Sequence, residues 1–474
     1  MPDFNVDVAI IGAGTAGLAA ERNARAAGAT TLLIDPYFAG TTCATVGCMP
    51  SKLLIAAGEA AHSVRNAGEF GIEVAQPRIN GPEVMKRVRR LRDDFVSGVK
   101  DGLDDLPDGI AVKATAQFVS KTELALDDGK KVAAKAIIIA TGSSPVIPPS
   151  FEGLGDRALT NESLFDLEQL PASLGVIGAG PLGLELAQAL ARLGVCVEVF
   201  DMGTEIAGLP KGDPHTSLKD ALSRELTFHL DVKPEAKHVA DGVELSWDED
   251  GQSRTAVFER LLVAAGRAPN LEDLQLEIAG LDLDDHGTPV FDERTLQCSS
   301  SPVFIVGDAN HDLPILHEAS SEGAIAGNNA ATYPAIQSFS RSTRLQIMFT
   351  EPNMAIIGDV PGDDTVTGQV DYRDQGRARV MGVNQGVCEI YARTGRGTIT
   401  GACLVGPGVE HLAHLLAWSI EQGATASDLL ERPFYHPTIE EGLKTALKQI
   451  CQTLHLPKPA SRDDAELPGD FQRA

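Results

Sequence analysis

Cysteine is scarce in this chain, with seven in 474 residues, and five of them (Cys196, Cys298, Cys388, Cys403 and Cys451) are scattered. That excludes a small scaffold stapled by disulfides. No apolar run approaches the ~18 residues that a membrane span needs. Positive charge is also short: 40 Lys and Arg stand against 66 Asp and Glu, a net charge of −26. Such a field repels a nucleic-acid duplex. The one basic run, Lys86-Arg87-Val88-Arg89-Arg90-Leu91-Arg92, falls among apolar residues at helical spacing (Val84, Val88, Leu91, Phe95) and reads as a solvated helix face. The start, MPDFNVDVAIIGAG, carries an acid where a signal peptide carries Lys or Arg. These absences predict a soluble, cytoplasmic chain with no membrane or nucleic-acid partner. The ordinary hydrophobic and charged fractions, 43% and 22%, exclude wholesale disorder. The length predicts two to four domains.

The chain repeats itself. Val8-Ala9-Ile10-Ile11 leads into Gly12-Ala13-Gly14-Thr15-Ala16-Gly17, an Ala-rich helical stretch, and Thr31-Leu32-Leu33-Ile34 ending at Asp35. Gly175-Val176-Ile177 leads into Gly178-Ala179-Gly180-Pro181-Leu182-Gly183, another helical stretch, and Val195 to Phe200 ending at Asp201. In both units the acid stands 18 residues beyond the third glycine. One such glycine pattern is weak in a chain with 47 glycines; two, each between a strand and a helix and each with its acid, point to two dinucleotide sites. The first glycine makes the tight turn, the second admits the pyrophosphate, and the third lets helix pack on strand. Asp35 and Asp201 are the expected acceptors for ribose hydroxyls. The fold class expected is α/β, with two Rossmann-like domains followed by an α+β C-terminal domain. The expected boundaries are 1–147, 148–265, a central segment 266–340 with the strand Val303–Val306, and 341–474, whose tail from Pro457 is loosely ordered.

Cys43 and Cys48 stand five residues apart, just after the second strand of the first unit. On a regular helix their Cα atoms would be about 8.6 Å apart, beyond the ~7 Å that a disulfide tolerates. A bridge therefore requires irregular backbone at a helix start, which Gly47 would ease. Thiols at a helix N-terminus react as thiolates. A structural zinc site would need two more ligands, and no CxxC or HxxxH partner is present. Two unrelated thiols and a redox-active pair are the other readings; the adjacent dinucleotide site gives weight to the second.

The segment Gly40-Thr41-Thr42-Cys43, Val46-Gly47-Cys48, Pro50-Ser51-Lys52 resembles the active-site segment of the flavin-dependent disulfide reductases, which include dihydrolipoamide dehydrogenase, glutathione reductase and mercuric reductase. The resemblance runs on through Ala140-Thr141-Gly142-Ser143, Gly266-Arg267-Ala268-Pro269-Asn270, Gly307-Asp308, Leu316-His317-Glu318-Ala319 with Glu322-Gly323, Phe349-Thr350-Glu351-Pro352, and His436-Pro437-Thr438 with Glu441. It is closest in pattern to dihydrolipoamide dehydrogenase. It implies an FAD-binding first domain, an NAD-binding second domain and a C-terminal domain that forms a homodimer. It implies FAD contacts at Gly12, Gly14, Gly17, Asp35, Thr42, Lys52, Ala116, Thr141, Gly142, Ser143, Asp308 and His317. Contacts to NAD are implied at Gly178, Gly180, Gly183, Glu185, Asp201 and Gly266. By similarity Cys43 and Cys48 form a redox disulfide, with Cys48 the flavin-proximal thiolate and Cys43 the interchange thiol. His436 is the base contributed by the second subunit, Glu441 orients it, and Lys52 sits near the flavin N5 paired with Glu185. The substrate implied is a small dithiol or disulfide, above all dihydrolipoamide on a lipoyl-bearing carrier protein. No metal is implied.

Asp201 is followed by Met202-Gly203-Thr204-Glu205, and no Lys or Arg appears until Lys211, which favours NAD(H) over NADP(H). Three departures from the family pattern concern the substrate or flavin region. Phe434 and Tyr435 stand where a second His usually precedes the base, Ala44-Thr45 replaces an apolar-Asn pair, and Thr41 replaces a glycine. Two rivals follow: an NAD(P)H-dependent reductase of another low-molecular-weight or protein disulfide, similar to glutathione reductase, and a flavoprotein scaffold without turnover.

Overall fold

The computed structural model describes residues 1–456; the expected loose tail from Pro457 lies outside them. The first sheet runs Ala111–Lys113, Thr31–Asp35, Phe4–Ile11, Lys131–Ile139, with Glu123–Leu126 and Ala116–Ser120 beyond. Its first four strands are parallel, and the outer two turn back antiparallel. The end of Lys131–Ile139 is joined by Val303–Ile305, so a strand from the central segment completes this sheet. Ile137, Ile138 and Ile139 are fully buried in a row. An unbroken apolar run is what a parallel strand covered on both faces requires.

The second sheet is wholly parallel, in the order Thr227–Leu230, Cys196–Asp201, Ser173–Ile177, Arg260–Val263, Ala158–Leu159. A three-stranded meander, Glu235–Val239, Gly242–Glu249 and Gln252–Phe258, packs beside it. A two-stranded ribbon pairs Ser143–Pro145 with Arg267–Pro269. The third sheet is antiparallel, in the order Leu345–Met348, Asn353–Gly358, Ile399–Gly406, Val387–Arg393, Thr365–Asp371. The helices Val409–Glu421 and Glu441–Thr453 share its core through Leu412, Leu416, Leu447 and Ile450. The basic run lies on the helix Gly81–Asp104 beside acids: Lys86 meets Glu83 at 3.5 Å, Arg90 meets Asp94 at 3.7 Å and Arg92 meets Asp166 at 2.5 Å.

The helix Cys48–Asn66 carries the cysteine segment into the centre of the molecule. Its Leu54 and Ile55 share one core with Leu186, Ala189 and Leu190 of the helix Pro181–Arg192 and with Met348 and Met354 of the third sheet. Burial of those side chains, at about 25 cal/mol per Å² of apolar surface, fixes the cysteine helix against both other layers. Buried Arg192 bolts the same junction, holding Glu225 through two contacts at 2.7 and 2.8 Å and Glu351 at 2.6 Å.

The helix Thr15–Ala26 lies directly on Leu316–Thr332. A Cβ at Gly323 would fall 2.2 Å from the Ala16 carbonyl oxygen, and one at Gly327 would fall 2.4 Å from that of Ala20. Gly327→Ala is therefore expected to lower stability by about 1–3 kcal/mol, the ordinary cost of overpacking. Gly98→Ala, on an exposed helix face with nothing within 4 Å of the added carbon, should raise it by about 0.5–1 kcal/mol. Urea unfolding of the two variants checks the contrast.

Candidate active site

Both glycine turns have one design. Gly12 and Gly178 adopt φ of +107° and +111°, in the left-handed region where side chains are strained. A Cβ at Gly17 would sit 1.9 Å from the Gly12 oxygen, and one at Gly183 would sit 2.2 Å from the Gly178 oxygen. A Cβ at Gly14 or Gly180 would meet nothing within 4 Å. The first and third glycines are thus demanded by the chain's own packing. The middle one leaves open space at the N-terminus of a helix, where free N–H groups and the dipole favour a phosphate. The fit to two bound dinucleotides is direct.

The acids at the strand ends also staple these turns. Asp35 accepts hydrogen bonds from the amides of Ala13 (2.9 Å), Tyr37 (2.8 Å) and Phe38 (2.7 Å). Asp201 accepts from Ala179 (2.6 Å) and Gly203 (2.7 Å), one bond on each oxygen. A carboxylate offers about four acceptor sites, so Asp201 keeps a free site on each oxygen for a ribose diol, whereas Asp35 has less to spare. No cation faces Asp201 within ion-pair distance among the described residues.

The residues implied for the first cofactor meet across the ribbon. Asn270 donates from its backbone to the Gly142 oxygen at 2.9 Å and from its side chain to the Thr141 oxygen at 3.0 Å. The Ser143 hydroxyl donates to Asp308 at 2.8 Å. The Thr141 hydroxyl is buried without a hydrogen-bond partner, an orphan that a bound ligand would satisfy. Gly266, at φ +119°, takes the Val146 amide on its carbonyl. Glu322, almost wholly buried, accepts from the Gly307 amide (2.7 Å) and Asn310 (2.8 Å) and pairs with Arg341 (2.5 Å). Burial pushes its carboxyl up to about 7 against the pull of Arg341. His317 lies half-exposed, 3.7 Å from Glu318. Ala116 is buried at the start of the outer strand of the first sheet, and Thr42 opens the short helix that carries Cys43.

The cysteine segment is two helices with a break. Thr42–Thr45 is a single turn, and Cys48 is the first residue of Cys48–Asn66. Between them Gly47 has φ −115° and ψ −118°, and a Cβ there would lie 2.9 Å from the Thr42 oxygen. This irregularity sets the two thiols beside one another, close enough that each shifts the titration of the other, with both cysteines free. Thr41 caps the short helix by accepting the Ala44 amide on its hydroxyl, and Thr45 donates back to the Thr41 carbonyl at 2.9 Å. Two of the three departures in sequence therefore build the turn that holds Cys43.

The hydrogen bond from Cys43 lowers the Cys48 thiol to about 6, with the Lys52 cation assisting. The same hydrogen bond, with burial, raises Cys43 far above the usual thiol range. Lys52 pairs with nearly buried Glu185 at 2.7 Å, as the resemblance implies. Glu185 also accepts the Phe349 amide at 2.8 Å, and the Lys52 ammonium stands 4.5 Å from the centre of the Phe349 ring. Among the described residues no group of three His, Cys, Asp or Glu is placed to hold a metal ion.

His436 lies on the third layer, with Nδ1 3.0 Å from the Glu441 carboxylate. Glu441 also accepts the Thr438 amide at 3.2 Å, and Gln375 donates to the Thr438 carbonyl at 2.7 Å. The ring is exposed, and Glu441 is its only hydrogen-bond partner among the described residues. Phe434 turns into the core of this layer, whereas Tyr435 is 84% exposed beside the base.

Residues 6–323 match the pyridine nucleotide-disulphide oxidoreductase family, and residues 346–447 match its dimerisation domain. The chain belongs to this family. It is 30% identical over 472 residues to the dihydrolipoyl dehydrogenase of Haloferax volcanii, covering 95% of this chain and 98% of the relative. It is also 30% identical to that of Thermus scotoductus, with the same coverage of each chain. Among solved structures it resembles LpdA from Mycobacterium tuberculosis, with a TM-score of 0.80, 24% identity and coverage of 94% and 100%. The Cu(II) complex of the HOCl-induced flavoprotein disulfide reductase RclA from Escherichia coli gives 0.79, 21%, 94% and 99%. The family uses FAD and NAD(H), and its members are dimeric flavoprotein oxidoreductases. No helix among the described residues is long and apolar enough to cross a membrane.

Asn161, Arg267 and Arg192 organise the site, yet sequence reasoning gave none of them a role. The only local signal was Arg267 inside its motif. In the apo, reduced protein the ultraviolet absorbance of the Cys48 thiolate should be present at neutral pH and disappear as pH falls through about 6. Lys52→Met, which removes the assisting cation, should move that transition to higher pH.

Proposed function

We propose that this chain is a dihydrolipoyl dehydrogenase that oxidises dihydrolipoamide, free or on a lipoyl-bearing carrier protein, and passes the electrons to NAD. The observation that carries the reading is the thiol pair itself: Cys48 at a helix N-terminus beside Lys52, its thiol lowered to about 6 by the neighbouring Cys43. Bound FAD supplies the two-electron relay between the thiols and the nicotinamide.

The chain's own residues handle sulfur and protons. With the pair oxidised, a substrate thiolate attacks the Cys43 sulfur, and Cys48 leaves as thiolate, a role its low pKa favours. The second substrate thiol then displaces Cys43, closing the substrate disulfide. One substrate proton passes to the partner subunit's His436, whose Nδ1 is engaged by Glu441 and whose Nε2 is left free to take it, and the other ends on the Cys43 thiol as Cys43 is displaced. Lys52 balances the negative charge that accumulates, and Glu185 holds Lys52 in place. The dimerisation domain supports a homodimer; within it, each base serves the other chain's thiols. The buried free thiols Cys298, Cys388, Cys403 and Cys451 suit a reducing cytoplasm.

A second reading, an NAD(P)H-dependent reductase of another disulfide, is favoured by Tyr435. An exposed aromatic beside the base changes the wall that a lipoyl arm would meet. Anaerobic dihydrolipoamide decides between them. Prompt bleaching of the flavin band with formation of NADH supports the dehydrogenase; inertness to dihydrolipoamide with turnover of another disulfide supports the reductase. Cys43→Ser should abolish either activity, and full activity in that variant would leave the protein a flavin-binding scaffold.

Asp201 offers two free acceptor sites to a ribose diol and repels a 2′-phosphate. We expect kcat/KM to favour NADH over NADPH at least tenfold, on the order of 1.4 kcal/mol. Steady-state rates with the two nucleotides measure it, and equal values would remove the role given to Asp201.

A further inference from the structure

The break between the cysteine helices leaves the Val46 carbonyl, which lies between the two thiols in sequence, without a place in either helical ladder. Its partner comes from far along the chain. Asn161, 4% exposed, donates from its side-chain amide to the Val46 oxygen at 2.9 Å. The Asn161 side-chain oxygen accepts from Arg267 at 3.3 Å. Arg267 also donates to the Ser143 hydroxyl (2.8 Å) and carbonyl (2.5 Å), and that hydroxyl donates to Asp308. Asn161 follows the strand Ala158–Leu159 and Arg267 follows Arg260–Val263, neighbouring parallel strands of the second sheet. Both therefore leave the carboxyl end of that sheet, the end where the Gly178–Gly183 turn also lies.

We propose that Asn161 is a positioning residue for the dithiol: by holding the Val46 carbonyl it fixes the break that keeps Cys43 against Cys48, and so sets the equilibrium between the dithiol and the disulfide. The inference rests on the reading of Cys43 and Cys48 as the redox pair. A disulfide tolerates only a narrow range of Cα separation, whereas two thiols do not need to touch. A clamp that holds the short-range geometry therefore favours the disulfide over the dithiol. Buried amides and carbonyls are costly to leave unpaired, so the segment will rearrange when the amide donor is removed.

The test equilibrates the purified holoenzyme dimer with oxidised and reduced dithiothreitol and quantifies protein thiols after acid quench. In the forward direction the Cys43–Cys48 bond forms as the cyclic dithiothreitol disulfide opens, and the two protein thiol protons end on dithiothreitol. Asn161→Ala is expected to shift this equilibrium about tenfold toward the protein dithiol, ~30 mV in midpoint potential. Asn161→Leu fills the space without a donor and should give the same shift. Flavin content and the urea midpoint establish that each variant is folded. A folded variant of either kind whose equilibrium lies within twofold of the parent overturns the clamp. If the parent protein itself fails to interconvert dithiol and disulfide, the redox reading of the pair has failed, and the clamp with it.

Discussion

Two thiols must be held beside one another while one of them carries charge, and most of the architecture around Cys43 and Cys48 answers that requirement. A continuous helix would separate them. The chain instead runs one turn, breaks at Val46 and Gly47, and begins a long helix at Cys48. The break gives the contact. The new helix start gives a favourable dipole, and Lys52, within the first turns, gives a positive charge. The neighbouring Cys43 thiol, with Lys52 and the Cys48 amide assisting, outweighs burial and lowers Cys48 to about 6.

Such a segment is stable only if something outside it holds it, because a broken helix leaves polar backbone unpaired. The helix Cys48–Asn66 is packed between Pro181–Arg192 and the strands Leu345–Met348 and Asn353–Gly358. Glu185, Gln188 and Arg192 line one face of Pro181–Arg192 at helical spacing and meet the Phe349 amide, the Glu351 backbone and the Glu351 carboxylate in turn. The nicotinamide-side helix therefore orders both the cation beside the thiols and the start of the dimerisation layer. The three layers are joined here by a few buried polar contacts.

Legibility in the sequence followed the range of the constraint. The glycine turns were readable because their causes are local and steric: a Cβ at Gly17 or Gly183 collides with an oxygen five residues earlier. The cysteine pair, Lys52, and the His436–Glu441 spacing were readable as short motifs. The part played by Thr41 as a helix cap was not, since the same residue could sit in any turn. The inward Phe434 and outward Tyr435 are adjacent, and only the packing of the third layer separates their fates.

The amino-acid order alone determined the family and the two dinucleotide turns, and it marked the candidate thiols and base, because each depends on residues within a few positions of one another. Folding decided which distant residues complete the site. Val46, Ser143, Asn161, Arg267 and Asp308 span more than 260 positions and become one hydrogen-bonded path only when two sheets and a ribbon meet. Hydrogen bonds act over about 3 Å, so linear spacing cannot announce a partner that arrives from another layer.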